Sequence, residues 1–75
     1  MEPKYSHGQS VMILKSVYFH EEELVVRSGE IGMVMEIEFV TVDDDGSVVY
    51  DYIVRIGDKI LFFFEEELAP YPNRE

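Results

Sequence analysis

The residues able to do chemistry in this chain are His7 and His20, a handful of serines, and three acidic triplets: Glu21, Glu22 and Glu23; Asp43, Asp44 and Asp45; Glu65, Glu66 and Glu67. A zinc site or a general acid–base pair needs partners at recognisable spacing, and neither histidine has them. A calcium loop spreads its oxygen ligands over alternate residues and closes with a distal bidentate Glu. The Asp43 triplet is contiguous, runs into Gly46 and has no such distal ligand, so it reads as a solvated turn. Ser10, Ser16, Ser28 and Ser47 lack the strained turn that exposes a catalytic serine, and so short a chain leaves little room for an acyl-transfer pocket. The expectation is no catalytic residue, no cofactor, no metal, and hence no enzyme.

A chain of 75 residues supports one small core. With 47% hydrophobic and 13% aromatic residues it is too apolar for a disordered tail, and without cysteine it must be held by packing. The missing thiols fit a reducing compartment. The opening Met1-Glu2-Pro3-Lys4-Tyr5 lacks the layout of a signal peptide, and no apolar run reaches the length of a membrane span. A cytoplasmic location is expected.

Sixteen acidic residues against six basic ones give a net charge of −10. Nucleic acids and anionic membranes are both bound through Lys and Arg, so neither is an expected partner. The charge suits a protein with a basic, or mixed apolar and basic, surface, and it also keeps an apolar chain soluble.

The elements that must position any surface read as strands. Val11 to Leu14 is short and partly β-branched, giving a first strand over 9–15; residues 15–27 look like a long decorated loop broken by the Glu21 triplet, within which Leu24 to Arg27 resumes strand-like composition. The longest stretch of strand formers runs from Ile31 to Val42, with Gly32 marking a bend or a close backbone approach. The Asp43–Gly46 turn returns the chain into a strand over 47–56. There alternation sends Tyr50, Tyr52, Val54 and Ile56 to one face and Val49, Asp51, Ile53 and Arg55 to the other, the first set facing the core. Gly57 and Asp58 form a two-residue hairpin turn into a strand ending at Phe64. A short closing strand follows the Glu65 triplet. No segment carries ten residues of helical periodicity, so the expected fold is a five-stranded, partly open barrel over 9–70, with an N-terminal extension at 1–8 and a tail at 71–75.

Ser28-Gly29-Glu30-Ile31-Gly32-Met33-Val34 resembles the glycine-x-x-glycine-x-valine element of SH3-like barrels of the KOW type. Gly8-Gln9-Ser10-Val11, Tyr52-Ile53-Val54-Arg55-Ile56 and the Glu65–Pro70 close are similar to the order found in small stand-alone barrels of that superfamily. Its members by fold include ribosomal KOW domains, the β subunit of nitrile hydratase, and barrel subunits that dock onto photosystem I and ferredoxin-thioredoxin reductase. Many short bacterial and phage proteins look similar. The resemblance implies structural roles for Gly29, as a left-handed turn, and Gly32, as a bend, with Val34 and Ile37 reaching the core from either side of a bulge. RNA-binding KOW domains carry basic loops; here the equivalent loops are acidic, against direct RNA binding.

Alternation leaves more apolar residues than one small core can hold: Tyr18, Phe19, Met33, Met35, Val49, Ile53 and at least one of Phe62, Phe63 and Phe64. Exposed together, such side chains make an interface. The expected function is a protein-interaction module docking onto a larger protein, or onto a second copy. Its apolar patch is Tyr18, Phe19, Met33, Met35 and Ile53, and its acidic rim is the three triplets. Two other readings stand beside it: an acidic mimic of nucleic acid that inhibits a nucleic-acid-binding protein, as a phage counter-defence factor would, and an accessory subunit of a redox or hydratase complex.

Overall fold

The computed structural model describes residues 3–71. Seven strands form: β1 (Ser10–Ile13), β2 (Val17–Phe19), β3 (Leu24–Val26), β4 (Ile31–Val42), β5 (Val48–Ile56), β6 (Lys59–Phe64) and β7 (Leu68–Pro70). A single 3₁₀ turn, Glu65–Glu67, separates β6 from β7, and there is no α-helix among the described residues. Five strands make one antiparallel sheet in the order β6-β5-β4-β1-β7, while β2 and β3 pair only with each other.

The protein is therefore all-β, as the strand and turn signals indicate, but the expected barrel closure is absent. Strands β6 and β7 lie at opposite edges of the sheet and do not pair. β1 spans four residues and β7 three, too short to carry the sheet round on itself. The open inner face is covered instead by the β2–β3 hairpin. This corrects the reading of 15–27 as a loop: Val17 pairs with Val26, Tyr18 with Val25 and Phe19 with Leu24. A turn at His20–Glu23, with Glu23 at φ 52°, joins the two strands. Because side chains alternate along a strand, Val17, Phe19, Leu24 and Val26 pack against the core while Tyr18 and Val25 face outward.

The core comprises Tyr5, Val11, Ile13, Val26, Val34, Tyr52, Val54, Leu61, Phe63 and Leu68. In β5 the expected split holds: Tyr52 and Val54 are fully buried with Tyr50 and Ile56 packed against the core, and Arg55 is exposed. The edge of the Phe19 ring meets Phe63 at a centroid distance of 5.4 Å, fastening hairpin to sheet.

Two glycines set the path of β4. Gly29 closes the turn out of β3 at φ +95°, and its N–H donates to the Ile13 carbonyl at 2.7 Å. A Cβ on Gly32 would lie 2.5 Å from Val54 Cγ1 and 2.9 Å from the Arg55 carbonyl oxygen, so only glycine lets β4 approach β5 there. The β4–β5 register shifts between Val34 and Glu36, and again between Phe39 and Thr41. Across the first shift Val34 is fully buried and Ile37 is packed against the core.

Residues that the sequence reading put outside the barrel are built into the fold. Tyr5, placed in the extension at 1–8, is buried, donates its hydroxyl to the Leu68 carbonyl at 2.9 Å and meets the Tyr52 ring edge-on at 5.4 Å. The Gly8 N–H donates to the Val34 carbonyl at 2.7 Å. Of the tail at 71–75, the Tyr71 N–H bonds the Ser10 carbonyl at 3.0 Å, and residues 72–75 lie outside the described residues.

Candidate protein-interaction surface

The cross-strand register fixes what shares the outer face of the sheet. Residues directly opposite one another in an antiparallel pair stand side by side on one face. One row reads Ile60, Arg55, Met33 and Ser10 across β6, β5, β4 and β1. The next reads Phe62 and Ile53, faced on β4 by the bulged pair Met35 and Glu36. The third reads Phe64, Asp51 and Glu38. Ile60, Phe62, Phe64 and Met35 are exposed and Ile53 and Met33 half-buried, so the first two rows form an apolar strip that nothing in the described chain covers.

One margin of this strip is acidic. Glu36 borders the Phe62 row, and Glu38 stands directly opposite Asp51 in the third. Like charges facing each other across a ladder destabilise it, and an incoming cation relieves that cost. Arg55 lies within the first row, the one basic group in these three rows.

The structure thus gathers Met33, Met35 and Ile53 on one face but separates them from Tyr18 and Phe19. Tyr18 is exposed on the outside of the hairpin, its ring edge against His20 at 4.6 Å, and Phe19 is committed to the core contact with Phe63. The outward members Ile60 and Phe62 complete the strip, and Phe64 stands next to it in the third row. Three consecutive phenylalanines show no alternation of residue type, so only the pairing with β5 assigns Phe63 inward. Phe39, at 62% exposure, is the most exposed large apolar side chain among the described residues, and it lies with Val40 and Val42 where the β4–β5 arm runs beyond the core.

The triplets do not act alike. Glu21, Glu22 and Glu23 are exposed at the hairpin turn. In the second, the Asp45 carboxylate accepts the Ser47 N–H at 2.9 Å, which holds its pKa below the ordinary value, and Asp43 closes the same turn through its backbone. In the third, Glu67 accepts the Phe64 N–H at 2.8 Å, and Glu65 is drawn into a polar knot at the edge of the core. There the Tyr52 hydroxyl donates to Glu65 Oε2 at 2.5 Å while accepting the Lys4 N–H at 2.8 Å and the Tyr5 N–H at 3.3 Å. Burial, followed by the hydrogen bond to Glu65, pushes the Tyr52 pKa up to about 12, and burial with the nearby Glu65 charge raises that of Tyr5. The knot ties the N-terminal segment and the 3₁₀ turn to β5. Its sequence signal was available: a core-facing tyrosine must find a partner for its hydroxyl.

Asp43, Glu65 and Glu66 also line, with Lys4, Val48, Val49, Tyr50 and Phe64, an open cleft of about 510 Å³ at the end of β5 and β6. No group of three or more potential ligands able to hold a metal ion occurs among the described residues, and no helix there is long and apolar enough to cross a membrane. Comparison of the chain with protein families, with curated proteins and with solved structures found no match.

Proposed function

We propose that this chain is a non-enzymatic, cytoplasmic protein-interaction module related to the SH3-like folds, its five-stranded sheet left open, which docks onto a larger protein through the outer face of β4, β5 and β6. The observation that carries the reading is the uncovered strip of Phe62, Ile53, Met35, Ile60 and Met33, rimmed by Glu36, Glu38 and Asp51. Aromatic and methionine side chains enrich interface cores, and carboxylates at the rim favour a partner that presents Lys or Arg around an apolar centre. Gly29 and Gly32 at the entry to β4, with bulges that bend it, support the SH3-like reading.

Affinity capture from the source cell with folded wild-type and Ile53→Lys proteins tests the surface. A partner retained by wild type and lost with Ile53→Lys is expected. Equal retention by both overturns the assignment.

A second reading, mimicry of nucleic acid, draws on the convergence of Asp43, Glu65 and Glu66 on one cleft. It requires DNA or RNA to compete with the chain for its partner. The docking reading expects no competition.

A further inference from the structure

The two edges of the sheet are protected very differently. β7 is three residues long and ends in Pro70, whose nitrogen carries no hydrogen to offer another strand. β6 is six residues long, pairs with β5 without a register shift, and contains no proline, no glycine and no charge after Lys59. Native sheets ordinarily blunt such an edge with charge, bulge or proline.

The free groups of that edge follow from its hairpin. A two-residue turn at Gly57 and Asp58 makes Ile56 and Lys59 a hydrogen-bonded pair, and bonding then alternates along the ladder. Leu61 and Phe63 therefore turn their backbone N–H and C=O toward β5, whereas Ile60, Phe62 and Phe64 turn theirs away. The Phe64 N–H, taken by the Glu67 side chain at 2.8 Å, agrees with this phase. Among the described residues, no strand is hydrogen-bonded to Ile60 or Phe62 on that side.

We propose that a second copy of this chain occupies the edge, with β6 pairing antiparallel to its own twin about a twofold axis at Phe62. This register sets Phe62 against Phe62 and Ile60 against Phe64, so every outward apolar side chain of the strand meets another. It also brings Lys59 of each copy to the acidic turn that follows β6 in the other, where Glu66 is exposed, which gives local charge complementarity between two otherwise acidic surfaces. Centring the axis one residue earlier, at Leu61, would face Phe64 with Asp58 and Lys59 with Phe63, losing both advantages. The Phe62 pair exchanges both its backbone bonds, and each Ile60 N–H reaches a Phe64 carbonyl, so Glu67 keeps its bond to the Phe64 N–H. One sheet then runs through both copies and the two apolar strips become continuous. The inference deepens the docking reading and rests on the same uncovered side chains of β6.

Sedimentation of the full chain across micromolar concentrations, in salt of about 0.15 M so that charges beyond about 8 Å are screened, provides the test. Wild type is expected to dimerise, with Phe62→Lys raising the dissociation constant more than about tenfold at an unchanged circular dichroism spectrum. Register is read by cysteine cross-linking, which is clean because the chain has no native thiol. Under a mild oxidant such as diamide, Phe62→Cys should link to itself, and Ile60→Cys should link to Phe64→Cys when the two are mixed but little to itself. A wild type monomeric at every concentration, or equal self-linking by all three variants, overturns the proposal. Ile53→Lys keeps the two failures apart: it should abolish capture of a larger partner while leaving β6 pairing intact.

Discussion

Phe62 and Phe63 are adjacent, chemically identical and on the same strand, yet one is 53% exposed and the other 1%. Phe63 meets Phe19 across the core, whereas Phe62 stands beside Ile53 on a face with no cover. The difference separates what apolarity does in this molecule. Inside, it supplies the stability that a chain without cysteine must obtain from packing; outside, it contributes little to the monomer and is available for contact with another molecule.

The largest expected effect breaks that comparison directly. Phe63→Ala should cost about 3–5 kcal/mol of stability, enough to threaten folding of so small a domain, while Phe62→Ala should stay within about 0.5 kcal/mol. Urea unfolding of the two variants side by side measures it, and equal losses would mean the faces are not distinct. Next comes Gly32→Ala, whose new methyl meets Val54 Cγ1 and the Arg55 carbonyl at the seam where inner and outer faces share a backbone. A loss of about 1–3 kcal/mol is expected by urea titration, because the β4–β5 approach cannot widen without disturbing both faces.

Tyr52→Phe sharpens the account of the inner face. It removes a hydroxyl that accepts the Lys4 and Tyr5 N–H groups and donates to Glu65, at an expected cost of about 1–3 kcal/mol. The pH dependence has a definite sign. The folded-state pKa of about 12 lies above the ordinary 10.0, so folding favours the neutral hydroxyl. Its contribution is whole below pH 10.0 and is lost as pH rises toward about 12. Thermal melts across this alkaline range should fall more steeply for wild type than for Tyr52→Phe. A smaller loss is expected for Gly29→Ala, about 1 kcal/mol by the same melts, since φ +95° disfavours a Cβ although nothing crowds it.

Much of this was legible where residue types alternate. Tyr50, Tyr52, Val54 and Ile56 declared the inward face of β5, and Gly57 with Asp58 declared the hairpin. What the sequence hid depended on pairing across the sheet. Phe62, Phe63 and Phe64 carry no alternation, and the bulge that sets Met35 and Glu36 together against Ile53 interrupts the period in β4. Leu24 to Arg27 carried strand-like composition, but its pairing with β2 was hidden because both strands are only three residues long and an acidic turn lies between them. The triplets drew attention as a rim, but the carboxylates that border the apolar strip are Glu36, Glu38 and Asp51, single residues spaced along strands. Glu65 and Glu67, by contrast, are committed to hydrogen bonds within the fold.

The central claim, that the outer sheet face is where this protein meets its partner, is tested most directly by mapping chemical-shift changes in the labelled chain as a captured partner is titrated in. The account predicts that the largest changes fall on Met33, Met35, Ile53 and Phe62, with Tyr18 and Asp43–Asp45 little affected. Changes concentrated on the β2–β3 hairpin or on the cleft lined by Asp43, Glu65 and Glu66, with the outer face silent, would contradict it.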